Sequence, residues 1–133
     1  MASRRPSVSN GSELDVIAWL QDQDDLKPLG RFVLNQWPKT ARLPLVVVQH
    51  IGDSNGTRIL GRYGGEMRLQ FDLYSRELAT EGRALLKEAL RTMRGTIGSL
   101  NGVHVVIADE RDTGVDPSGA FRQMVDAVIF WEE

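Results

Sequence analysis

Apolar residues recur along the chain with two different periods, and the change of period separates strands from helices. Between Met67 and Tyr74 apolar and polar side chains alternate, which predicts a half-buried strand. From Ser75 onward the apolar spacing becomes three to four residues, which predicts an amphipathic helix. This helix should end at Arg94–Gly95, because glycine readily stops a helix.

The remaining apolar segments predict one more helix and four more strands. Ser12 is expected to cap the first helix, whose first turn carries Glu13 and Asp15, acidic side chains that suit the positive end of a helix dipole. Turn residues at 52–56 predict the tip of a hairpin. The strands are predicted at 31–37, 43–51, 103–107 and 120–131.

The order of these elements predicts an α+β domain. Its sheet should be mainly antiparallel, with four to five strands, and its two helices should pack on one face. The polar residues 1–11 cannot bury enough surface to offset their ordering entropy, so we expect a flexible N-terminal arm. Residues 12–133 then form a single domain, a size that suits one core.

Composition excludes several classes of function. The 133 residues include no cysteine, which rules out disulfides, thiolate zinc sites and cysteine nucleophiles. A formal net charge of -2 gives no whole-protein reason for binding a polyanion. The apolar runs are far shorter than the ~20 residues of a membrane-spanning helix, and no signal peptide is evident, so we expect a soluble intracellular product.

An acidic cluster follows the strand at 103–107. It contains Asp109, Glu110, Asp112 and Asp116. Its spacing does not fit a calcium loop and Arg111 lies within it, so we expect no metal site. A solvated strand end is the simplest interpretation.

A basic stripe lies along one face of the second helix. It contains Arg83, Lys87, Arg91 and Arg94, spaced by four, four and three residues. A solvated helix face is the favoured interpretation, because the opposite face must pack on the sheet. An acidic protein surface is the next, and nucleic acid the last, since no aromatic residues interleave the stripe.

No catalytic arrangement is visible in the sequence. His50 and His104 lie within predicted strands and have no cysteine or second histidine at ligand spacing. Asp53 and Ser54 lie near His50 in the sequence, but they belong to a predicted hairpin tip that would not orient them for catalysis. The glycine-rich stretch 61–65 lacks the frame of a phosphate-binding loop, and no helix follows it. We therefore expect neither enzymatic activity nor a cofactor.

Several short stretches follow one another in a recognisable order over most of residues 12–131. They are Val16-Ile-Ala-Trp-Leu20, Leu43-Pro-Leu-Val-Val-Val-Gln49, Leu69-Gln-Phe-Asp-Leu-Tyr74, Arg83-Ala-Leu-Leu-Lys-Glu-Ala-Leu90, Asp109-Glu-Arg-Asp112 and the strand from Phe121 to Trp131. In the order and rough spacing of these stretches, the chain resembles the tail-terminator or tail-completion proteins of long-tailed bacteriophages.

The resemblance implies a virion protein, made in the host cytoplasm, that forms a hexameric ring at the head-proximal end of the tail tube. Its implied partners are further copies of itself, the tail tube protein and a head-completion or connector protein, with DNA passing through the ring without sequence-specific binding. A neighbouring neck or connector protein is the alternative, followed by a small nucleic-acid-binding regulator. The resemblance also implies that acids of the cluster pair with arginines of a neighbouring subunit. The candidate interface residues are Arg58, Arg62, Tyr63, Arg83, Lys87, Arg91, Asp109, Glu110, Arg111 and Asp112.

Overall fold

The computed structural model describes residues 7–35, 42–52, 65–76, 80–115 and 119–132. Within them lie two α-helices, one short 3-10 helix and six strands. In chain order these are α1 (Ser7–Gln21), the 3-10 helix (Asp24–Leu29), β1 (Arg31–Leu34), β2 (Leu45–Gly52), β3 (Gly65–Ser75), α2 (Thr80–Thr92), β4 (Gly95–Ile97), β5 (Leu100–Val115) and β6 (Phe121–Glu132).

The described strands form one sheet in the order β1-β2-β3-β6-β5-β4. All neighbours are antiparallel except β1 and β2, which run parallel. The prediction of a mainly antiparallel α+β domain is therefore confirmed, but the sheet has six strands rather than four to five. The additional strand is β4, whose three residues are too few to show a period in the sequence.

Both helices pack on the same face of the sheet, which we call the core face. Side chains of α1, α2 and the 3-10 helix join those of the strands in one apolar cluster. On β3 the four alternating apolar residues are buried as predicted, from Met67 to Leu73. The helices contribute Val16, Ile17, Leu20, Leu86, Leu90 and Met93.

The first helix begins at Ser7, so the cap predicted at Ser12 is wrong. Ser12 and Glu13 are instead buried within the helix, against the rest of the protein. Asp15, expected to favour the helix dipole, accepts hydrogen bonds from the backbone N–H and hydroxyl of Ser99 at 3.1 and 2.6 Å. Residues 1–6 of the predicted arm lie outside the described residues, so for them flexibility stays a prediction.

Other boundaries differ in the same way. The first strand ends at Leu34, and Trp37 lies outside the described residues. Ser75 still belongs to β3, and α2 begins at Thr80. β5 runs on to Val115, so the acids at 109–112 lie within a strand and not at its end. Within the described ranges, neither helix has the length and apolar character needed to cross a membrane.

Candidate subunit interface

A β-bulge in β5 determines which face of the sheet each side chain of the acidic cluster occupies. Ile107 pairs with Ala127 and Asp109 pairs with Asp126, so Ala108 is an extra residue between two ladder positions. Such a residue reverses the alternation of the side chains that follow it. Glu110 therefore lies on the core face, beside α2, and so does Asp112.

These two carboxylates pair with the basic stripe of the same chain. Arg83 contacts Glu110 through Nε at 3.2 Å and Asp112 through Nη1 at 2.7 Å. Lys87 Nζ lies 2.5 Å from the second carboxylate oxygen of Glu110, and Gln123 donates to Asp112 at 3.0 Å. Two cations and two anions thus hold the long strand against the helix, and we call this group the clamp.

The clamp accounts for only part of the residues singled out in the sequence. Arg91 and Arg94 lie further along α2, where Arg94 Nε donates to the carbonyl of Arg91 at 3.4 Å. Because two of its four members already have carboxylate partners, the stripe presents less free positive charge than the sequence indicates. Arg58, Arg62, Tyr63 and Asp116 lie outside the described residues.

The other two candidates of the cluster lie on the opposite face of the sheet, which we call the outer face. Arg111 donates to Asp109 at 2.5 Å, and Asp109 also accepts the backbone N–H of Glu110 at 2.8 Å. The hydrogen bond from Arg111, and then the one from Glu110, lower the pKa of Asp109, while Asp109 raises the pKa of Arg111. The alternation of the strand thus divides these four consecutive charged residues between two surfaces, and the bulge decides which of them face α2.

A buried carboxylate occupies the middle of the outer face. The Asp72 side chain is 0% exposed. It accepts hydrogen bonds from Gln70 at 3.1 Å, from Arg122 at 3.0 and 3.3 Å and from Gln49 at 3.3 Å. Four nitrogen donors, on three side chains from three adjacent strands, thus satisfy one carboxylate, as burial of a charge requires.

A second ion pair lies beside it. Arg68 on β3 donates to Asp126 on β6 at 2.6 Å, and the Asp126 side chain is nearly buried. Sequence alternation indicates that Arg68, Gln70 and Asp72 share a polar face, but it does not show how deeply each side chain is buried. Nothing in the local sequence identifies Arg122 or Asp126 as their partners, because these residues lie on a strand some fifty positions away.

Both histidines have specific neighbours. His50 Nδ1 on β2 lies 2.5 Å from a carboxylate oxygen of Glu13, which is buried on α1, so this contact joins the helix to the sheet. His104 stacks on Phe130 of β6 with 4.9 Å between ring centroids. Neither contact is visible from sequence spacing.

The charged groups of the described residues mostly satisfy one another. No group of three or more His, Asp or Glu side chains in these ranges has an arrangement that could hold a metal ion. Ion pairs that join strand to strand and strand to helix fix the shape of a domain. The arrangement is therefore suited to presenting rigid surfaces.

These features define an α+β domain whose sheet carries two helices on one face and a charged, hydrogen-bonded network on the other. A chain from the virion of a native gene transfer agent (GTA) particle has a similar fold, with a TM-score of 0.55 over 90% of this chain and 95% of that chain. The two sequences are 14% identical, so the likeness shows a shared fold alone. No protein-family model and no curated protein matches the chain.

Proposed function

We propose that this protein is a virion structural protein of the tail-terminator type. It forms a hexameric ring that caps the head-proximal end of a phage tail tube, ends tube polymerisation and offers a surface for head joining. The observation that carries the proposal is the fold shared with a chain from the virion of a gene transfer agent particle over nearly the full length of both chains. The sequence resemblance to tail terminators supports it independently.

The described site fits such a role. Its charges are engaged in the clamp and in the outer-face network, which stabilise a shape. A capping ring works by shape: one side reproduces the contacts of a tube subunit, and the other side offers no contact for the next subunit. Candidate contact residues are Arg58, Arg62, Tyr63, Arg83, Lys87, Arg91, Asp109, Glu110, Arg111 and Asp112.

The proposal is tested by deleting the gene from the phage that carries it. Electron micrographs of the resulting lysate should show overlong tails without heads, because nothing stops addition of tube subunits. Supplying the protein in trans should restore normal tail length. Tails of normal length beside unattached, filled heads would instead identify a connector protein, and unchanged infectious particles would refute a virion role.

A second measurement tests the ring directly. Negative-stain images of the protein on tail ends, or of the concentrated protein, should show closed six-fold rings. Six copies of the 14.9 kDa chain amount to roughly 90 kDa. Open helical filaments would contradict a capping role, since a cap must close on itself.

A further inference from the structure

Most strand edges in the described sheet are protected against pairing with another chain. β1 has four residues, and its Phe32 N–H donates to the side chain of Gln21 at 3.0 Å. β4 has three residues. Short edge strands and capped N–H groups prevent unwanted strand addition.

The edge of β5 that points away from β6 is different. β4 pairs with this strand only from Leu100 to Val103, and no other described strand pairs with the twelve residues beyond on that side. We call residues 104–115 the open edge. Two of the large apolar side chains exposed in the described ranges belong to it, Val106 at 49% and Val115 at 57%.

Two constraints select how a second copy could add to this edge. An antiparallel partner β5 must stop short of Val103, because β4 occupies that position. Opposite residues must also share a face of the sheet, because side chains alternate across the pleat. The longest pairing that satisfies both constraints places Glu110 opposite itself on a two-fold axis.

Charge favours this same register. It places Asp109 of each copy opposite Arg111 of the other, on the outer face, where both side chains are exposed. The next register that satisfies the two constraints places Arg111 opposite itself, which is repulsive. On the core face the two Glu110 side chains meet, but each is already paired with Arg83 and Lys87 of its own chain.

We propose that the free protein forms a two-fold dimer by antiparallel pairing of open edges, centred on Glu110. The inference goes beyond the proposed ring, because a cyclic hexamer has head-to-tail contacts and no such two-fold axis. The dimer covers the one long unprotected edge of the described sheet before the protein reaches the tail. Light scattering of the dilute wild-type protein should give about 30 kDa, twice the mass of the chain.

Charge reversal provides the decisive test. Asp109→Arg places arginine opposite arginine in the dimer, and Arg111→Asp places carboxylate opposite carboxylate, so each variant alone should be monomeric. Mixing the two variants restores both opposite-charge contacts across the axis, and a dimer should return. Mixing cannot repair a contact within one chain, so recovery on mixing assigns the effect to this interface.

Cross-linking locates the axis. The chain has no cysteine, so Glu110→Cys introduces a single thiol that should oxidise to a disulfide-linked dimer. Leu14→Cys is the control: Leu14 lies on α1 and is 53% exposed, more than the Glu110 side chain at 35%, yet it should not cross-link. A wild-type protein that is monomeric at all concentrations, or single variants that remain dimeric, would overturn the dimer. The deletion phenotype and the rings on tails would be unaffected, so the two proposals fail separately.

Discussion

Replacing Asp72 by alanine is the sharpest test of the outer-face network. The substitution removes a fully buried carboxylate that accepts hydrogen bonds from Gln49, Gln70 and Arg122. Removing one member of a buried ion pair typically costs about 3–5 kcal/mol, because its partner is left uncompensated. Here the Arg122 side chain is 34% exposed and can turn towards water. We therefore expect the free energy of unfolding to fall by about 2–3 kcal/mol. This value lies between the cost of breaking a buried ion pair and the contribution of a single hydrogen bond to a charged group.

Equilibrium urea unfolding, followed by far-ultraviolet circular dichroism, measures this loss. At a typical slope the midpoint should fall by about 1–2 M with the slope itself unchanged. Asp72→Asn should lose less, because it keeps one acceptor oxygen and the shape of the side chain. Asp22→Ala, at an exposed site after α1, is the control and should leave the midpoint almost unchanged. If Asp72→Ala unfolds at the same urea concentration as that control, the network does not stabilise the fold.

Three further predictions concern the core, a close packing contact and a titration. Leu90→Ala should lower the free energy of unfolding by about 2–5 kcal/mol, because Leu90 is fully buried; urea unfolding measures it, and a change below 1 kcal/mol would contradict the packing. In Gly65→Ala the new methyl group would lie 2.2 Å from the Trp131 ring, so stability should fall by about 1–3 kcal/mol and tryptophan fluorescence should shift. Carbon-detected NMR should give Asp109 a pKa below its usual value, and Arg111→Gln should raise that pKa. Because the pKa of Asp109 is lowered in the folded state, the pair of Asp109 and Arg111 stabilises the fold above the usual pKa. This stabilisation is lost as the pH falls through the folded-state pKa.

The sequence predicted those parts of the fold whose signal is local. The alternation from Met67 to Leu73 identified both the strand and its buried face. The start of α1 was misjudged because Ser12 and Glu13 have the composition of a helix start, whereas Glu13 in fact faces His50, a residue 37 positions further on. A contact between distant segments leaves no period in the sequence.

The candidate site was only partly predictable for the same reason. Helical spacing placed Arg83 and Lys87 on one face. The acids predicted to form one cluster instead lie on two faces of the sheet, Asp109 on the outer face and Glu110 and Asp112 on the core face. Their pairing within one chain depends on the bulge at Ala108, which turns Glu110 towards α2. In a sequence, four consecutive charged residues look like the end of a strand. The strand can continue through them only because a neighbouring strand pairs with it along its whole length. That partner, β6, lies downstream in the chain.

The bulge at Ala108 also has a consequence for how this strand can change over time. Because Ala108 has no ladder partner, deleting it would leave each later residue opposite its present neighbour on β6. A deletion between Asp109 and Asp112 would instead exchange the residues that face α2 with those that face away. Loss of a single amino acid is thus tolerated at Ala108 and disruptive at the residues that follow it. Deletions among related chains should therefore concentrate at Ala108 and at the other irregular points of the ladder between β5 and β6.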